Sequence, residues 1–257
     1  MTRFIDSHIH LADAAFDADR EDVIERARLT GAQALVCIGE SLETARRAAE
    51  IALRHPQFVY YTAGIHPYDA AGFDAARDAD GIAAEVERGA VAIGECGLDY
   101  QYDDSPRDRQ RGTFGAQLAL AATVGRPVVV HSRGAEDDTR DMVTEAGRAG
   151  VLGVLHCFTG SAALAEAALD VGWYISFSGI VTFRTFTDEV LLRLVPDDRL
   201  LVESDGPYLA PVPKRGTRNE SAYVTFTVAR VASARGTDAD SLGACTVANA
   251  RRLFGLA

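Results

Sequence analysis

The sequence predicts an α/β fold: a single (β/α)8 TIM barrel spanning residues 1–257. Two observations carry this. Eight short apolar runs alternate with stretches of helical composition, and six of the eight runs end on a histidine or a carboxylate. Alternating strands and helices imply a parallel sheet with right-handed crossovers, and about 250 residues is the usual length for eight such units. An open sheet gathers side chains from two or three neighbouring strands. Here the polar ends belong to the first and the last run alike, which calls for a closed barrel with all of them at one mouth.

The predicted strands cover 3–8, 34–38, 58–65, 90–95, 127–131, 152–156, 173–178 and 200–204. Most are continuous apolar runs, as in parallel strands covered on both faces. The first, RFIDSHIHL, carries His8 and His10. After the second, LETARRAAEIALR (42–54) sets Leu42, Ala45, Ala49 and Ala52 on one helical stripe, with Ser41 as its cap. YYTAGIHP brings the third strand to His66, and AVAIGECGLDY places Glu95 in the fourth. Ser105-Pro106-Arg107-Asp108 then reads as an N-cap serine with proline at the first helical position. PVVVHSR ends on His131 and GVLGVLHCFTG on His156, with Ser161 capping the next helix. RLLVESDGPYL closes the series on Asp205, and Thr237 is expected to open a final helix towards Phe254. The loop DGPYLAPVPKRGTRN (205–219) follows the last strand, so Lys214, Arg215 and Arg218 are expected over the barrel mouth, in contact with substrate phosphates.

Composition narrows the setting. A net charge of −11 argues against a broad nucleic-acid-coating surface, which would be basic, but allows a local grip on a few phosphates. No run of 18 apolar residues exists, so no transmembrane helix and no membrane partner are expected. The N-terminal MTRFIDSHIH lacks a signal-peptide core, which points to a cytoplasmic protein. The four cysteines are too far apart for a paired metal motif and read as free, buried thiols. Cys96 and Cys157 directly follow two candidate ligands, and strand alternation would turn them to the opposite face.

Imidazoles and carboxylates are what a divalent transition metal binds. His8 and His10, two apart on a strand, share a face and can share an ion, with Asp6 placed to orient an imidazole. Taken alone, such a pair could be two core-edge histidines. Glu95 has two oxygens, which suits it to bridge two ions; a buried glutamate without such a partner costs several kcal/mol, roughly. His131 and His156, on adjacent strands, could complete the second ion. Asp205 could ligate the first and hold or deprotonate a water. Two ions about 3.5–4 Å apart activate water and stabilise both the attacking and leaving oxygens in phosphodiester hydrolysis. His66 and Arg133 are then candidates for phosphate oxygens. The ligand types suit Zn or Mn and allow Mg.

The phrases DSHIHL, GIHP, AIGECGLDY, PVVVHSR, GVLHCFTGS, YISFSGIVTF and ESDGPYLAPVPKRGTRNE, in this order from residue 4 to about residue 225, resemble the TatD family of metal-dependent deoxyribonucleases, within the wider amidohydrolase-like barrels. The resemblance implies a first metal held by His8, His10, Glu95 and Asp205, and a second held by Glu95, His131 and His156. It associates His66 with substrate phosphate. It implies a 3′–5′ exonuclease on single-stranded DNA or short oligonucleotides, with a role in DNA repair or degradation. Three positions depart from the family pattern: Ser204 before the last aspartate, Gly206 after it, and Ser221 in place of a proline. Gly206 is expected to loosen the backbone beside a ligand, and Ser221 to alter substrate preference.

Two other functions compete. One is a two-metal hydrolase of another ester or amide on the same barrel, an aminoacyl-tRNA deacylase included. Many such barrels bridge their ions with a carbamylated lysine. The sole lysine here, Lys214, lies in the late loop. The other is a non-catalytic nucleic-acid-binding barrel, which would be expected to have lost some ligands; all are present.

Overall fold

The computed structural model describes residues 2–102 and 104–257. Its strands are β1 (Phe4–Ile9), β2 (Ala32–Cys37), β3 (Val59–Ala63), β4 (Ala92–Asp99), β5 (Val128–Arg133), β6 (Gly153–Leu155), β7 (Tyr174–Phe177) and β8 (Leu200–Val202). Each pairs in parallel with the next in chain order. The first and last strands meet at the mouth, where Asp205 N donates to His8 O (2.9 Å) and His10 N to Gly206 O (2.8 Å). The sheet is therefore the expected TIM barrel, nearly closed on itself.

Its helices are α1 (Arg20–Leu29), α2 (Leu42–Arg54), α3 (Ala75–Arg88), α4 (Arg107–Val124), α5 (Glu136–Arg148), α6 (Ala162–Asp170), α7 (Glu189–Leu194), α8 (Val224–Arg235) and α9 (Ala239–Phe254). Both faces of the strands are buried, the reason that they read as unbroken apolar runs. Ile5, Val36, Ala92, Val129, Val154 and Leu201 form an inner core with Leu253 and Phe254, so the end of α9 closes that core. Their strand neighbours Phe4, Leu35, Ile93, Leu155 and Leu200 pack outwards against helix side chains such as Ile24, Ala45, Leu164 and Val228. No helix among the described residues is long and apolar enough to cross a membrane.

Local signals held unevenly. Ser41 caps α2 in a full capping box with Thr44, and Ser161 caps α6. Ser105 does not cap α4: its hydroxyl donates to Tyr68 O (2.6 Å) and accepts from Ala71 N (3.0 Å), so it ties two loops together instead. The cap of α9 is Asp238 rather than Thr237, because the Asp238 carboxylate accepts from Ser241 N. β4 runs to Asp99 and β5 to Arg133, both beyond their predicted ends.

Candidate metal centre

The site stands at the C-terminal ends of the strands. β1 supplies His8 and leads into His10; β4 supplies Glu95 and β5 His131; His156 follows β6 and Asp205 follows β8. Close approach of β4 and β5 sets the level of the site. Gly97 pairs with His131 at φ 128°, where an added Cβ would lie 2.1 Å from the His131 carbonyl oxygen. No other residue fits there without pushing the strands apart.

Glu95 is buried at the centre, and its two oxygens face different partners. Oε2 lies 3.3 Å from His8 Nε2 and 4.0 Å from His10 Nε2. Oε1 lies 2.8 Å from His156 Nε2 and 3.3 Å from His131 Nδ1. Asp205 Oδ1 joins the first side, 3.3 Å from His10 Nε2 and 3.8 Å from His8 Nε2. The His8 and His10 Nε2 atoms are themselves 3.2 Å apart. Nitrogens bound about 2.0–2.1 Å from a tetrahedral ion are about 3.3 Å from each other, so these separations are those of ligand atoms around a cation. The six predicted ligands are thus brought together, three donor sets lying within 4.8 Å: His8, His10 and Glu95; His8, His156 and Asp205; and His66, Glu95 and His131. Their residue types and spacing fit divalent ions.

Carboxylates stand behind three of the imidazoles. Glu203 Oε1 is 3.2 Å from His156 Nδ1, Asp99 Oδ2 is 2.9 Å from His131 Nε2, and Glu40 Oε2 is 3.3 Å from His10 Nδ1. Each engages the ring nitrogen that faces away from Glu95, or from Glu95 and Asp205 together, leaving the other nitrogen's lone pair aimed inwards. Sequence reasoning missed all three. Glu203 is two residues from Asp205 and Asp99 two from Gly97, but nothing in the pattern tells a carboxylate behind an imidazole from one paired with arginine. Asp6, the expected orienter, touches no imidazole; it accepts from Ser204 Oγ (2.6 Å) and from the amides of Ser204 (2.8 Å) and His8 (3.3 Å). It fastens β1 to the chain beyond β8.

Crowding of charge shifts the site's proton equilibria. Burial, reinforced by the charge on His156, lowers the pKa of His8; the two rings stack 3.8 Å apart, so both cannot readily be cationic. Burial opposes a charge on His156 too, but Glu95 and Glu203 outweigh it and hold the pKa of His156 well above that of a free imidazole. Glu95 resists protonation despite burial, because His156 and His8 flank it. The carboxylates thus hold positive charge at the centre, the place that a cation would take.

His66 differs in kind. Its Nδ1 accepts from the backbone N–H of Tyr68 (3.2 Å), so in the neutral ring Nε2 carries the proton, 3.7 Å from Glu95 Oε1. Burial pushes its pKa down to about 4. It stands at the centre as a neutral imidazole, within the donor set that it forms with Glu95 and His131.

At the rim, Arg133 is exposed and lies over the Tyr102 ring at 5.0 Å. The three cations of the late loop each meet a different partner. Lys214 lies over Tyr223 (5.1 Å) and Arg215 over Phe183 (3.8 Å). Arg218 is committed elsewhere, both guanidinium ends 2.7 Å from Asp19 and the group stacked on Phe16 at 4.6 Å. Its ion pair anchors the loop to the segment before α1. Gly206 is likewise pinned, its N–H donating to Ser204 Oγ and its carbonyl accepting from His10 N. Ser221 is fully buried and cannot touch a substrate. Cys157 is off the strand, at φ 44°, with Sγ 3.1 Å from Ser178 Oγ. Burial, then Asp205 and Glu203, raises its pKa well above that of a free thiol, so it stays protonated.

A family model described as TatD related DNase matches residues 5–255. The chain is 39% identical over 255 residues to a protein of Rahnella sp. (strain Y9602) named 3′-5′ ssDNA/RNA exonuclease TatD, covering 96% of this chain and 97% of that one. It is 38% identical over 250 residues to the uncharacterized metal-dependent hydrolase YabD of Bacillus subtilis (strain 168), covering 97% and 98%. The crystal structure of YJJV, a TatD homologue from Escherichia coli K12, superposes with a TM-score of 0.91 at 27% identity, over 99% of both chains.

Proposed function

Because the chain belongs to the family of TatD-related DNases, we propose that its centre hydrolyses phosphodiester bonds with two divalent ions, removing nucleotides from the 3′ end of single-stranded DNA. The chain is a metal-dependent hydrolase acting on ester bonds. The observation that carries the finer reading is the division of Glu95, one oxygen towards His8 and His10 and the other towards His131 and His156. A carboxylate so divided would hold one ion on each side. The 3′–5′ direction and the single strand follow relatives such as the Rahnella protein, whose name covers RNA as well.

Divalent ions bound here would lower the pKa of water and offset charge on the phosphodiester oxygens. Asp205, beside His8 and His10, would orient the attacking water and take its proton. The His66 Nε2–H donates to a phosphate oxygen. Glu203, Asp99 and Glu40 keep the imidazoles in one tautomer, and Arg133 and Arg215 supply positive charge at the rim of an acidic protein. A cytoplasmic role in DNA repair or degradation suits such an exonuclease.

The test is a nuclease assay on metal-stripped protein, restored one metal at a time, with end-labelled single- and double-stranded DNA and RNA. Mononucleotides should leave the 3′ end of single strands. Failure of every metal to restore cleavage of any of these substrates would sink this reading.

A further inference from the structure

Eight tyrosines occur in the chain, and among the described residues only Tyr68, Tyr102 and Tyr208 are exposed. All three stand at the mouth. The Tyr68 ring is 4.3 Å from that of His66 and 6.1 Å from that of Tyr102, both edge to face. Beyond Tyr102 lies Arg133, its guanidinium 5.0 Å from the ring centre. An exposed aromatic pair with an arginine, adjoining a candidate phosphodiester centre, is not explained by packing: Tyr102 is 46% and Tyr68 37% exposed.

The pair is also held in place from below. Asp99 Oδ2 accepts from Tyr68 Oη (3.1 Å) and lies 2.9 Å from His131 Nε2, while its Oδ1 accepts from the amides of Gln101 (2.8 Å) and Tyr102 (3.3 Å). One buried carboxylate thus sets an imidazole of the centre, the Tyr68 ring and the backbone that carries Tyr102. The carbonyl of Arg133 accepts from Tyr100 N (2.8 Å), which fixes the same segment to the end of β5.

We propose that Tyr68, Tyr102 and Arg133 form a stacking platform for an unpaired nucleobase beside the scissile phosphate, on the His66 and His131 side of the centre. Every base has a π-face, so such a platform accepts any sequence. It rejects a paired end, because a base must leave its complement and its stack to lie on it. The platform supplies a structural reason for single-strand preference, and it rests on the nuclease reading above.

The experiment compares cleavage of a single-stranded oligonucleotide with that of the same strand carrying abasic tetrahydrofuran residues at its 3′ end. The wild type should favour the base-bearing strand about tenfold in kcat/KM, through KM. Tyr102→Ala should lose that discrimination, whereas Tyr102→Phe and Tyr102→Trp, which keep a ring, should retain it. Discrimination that survives in Tyr102→Ala overturns the platform while leaving the nuclease reading intact. Should the metal-restored wild type cleave no strand, the nuclease reading fails by itself. Binding of phosphorothioate-protected strands, followed by fluorescence anisotropy, then decides the platform: weaker affinity for the abasic strand, lost in Tyr102→Ala, supports it, and equal affinities overturn it.

Discussion

Glu203 Oε1 lies 3.2 Å from His156 Nδ1 and accepts the Cys157 amide at 2.6 Å, deep under the candidate centre and wholly screened from solvent. A carboxylate so placed fixes which imidazole nitrogen faces Glu95. Glu203→Gln keeps the shape and removes the charge, and it should weaken binding of one ion by about 10- to 100-fold. Metal titration followed by calorimetry should therefore show one tight and one weakened site, where the wild type shows two tight ones. Two unaltered sites would mean that Glu203 is only a packing residue.

Glu95 and His66 should separate metal binding from substrate handling. Glu95→Ala removes an oxygen from both sides of the centre, so elemental analysis should find fewer ions and activity should vanish. His66→Ala should keep the wild-type ion count and lose activity less completely. Added metal should raise the Tm of the wild type, as binding to the native state requires, by an increment that Glu95→Ala forfeits. Equal metal loss in both variants would reverse the roles assigned here.

Arg218 should matter to stability. Arg218→Ala breaks its two-pronged pair with Asp19 and uncovers Phe16, a loss of about 1 kcal/mol or a Tm lower by about 2–4 °C. The Arg218 hydrogen bonds, helped by Arg26, hold the Asp19 carboxyl down to about 2, against about 3.9 in an unfolded chain. A depressed carboxylate stabilises the fold above its unfolded pKa and ceases to do so as pH falls through its folded one. The Tm gap between wild type and Arg218→Ala should accordingly narrow from pH 4 towards pH 2. A gap of constant size over that range would assign the loss to packing on Phe16 alone.

Gly97 is a stricter constraint than any ligand. Its φ of 128° and the 2.1 Å between an added Cβ and the His131 carbonyl leave alanine no room. Gly97→Ala should cost roughly 3 kcal/mol or more in urea unfolding and lower metal affinity too, since it spreads β4 from β5 where Glu95 and His131 stand. A loss below about 1 kcal/mol would show that the two strands can yield there.

The order of strands, the barrel and the gathering of His8, His10, Glu95, His131, His156 and Asp205 were legible along the chain. Apolar runs with a polar end are a one-dimensional signal: burial on both faces dictates the run, and the parallel sheet dictates that all ends meet. What stands behind those residues was not legible. Glu203, Asp99 and Glu40 act on residues of other strands up to 47 positions away in the chain, and their sequences look like any carboxylate near a strand end. Asp6, next to two candidate ligands, turned out to bind Ser204, because the closure of β1 on β8 brought that hydroxyl nearer than any ring nitrogen. The late loop repeats the lesson. Its three cations count as one cluster in sequence, yet each meets a different partner, Asp19, Phe183 or Tyr223, supplied by three separate segments. Periodicity and residue type determine which side chains reach the mouth, since they depend on the local backbone; only the tertiary structure decides which charge each one meets, because that depends on segments the chain brings together from far apart.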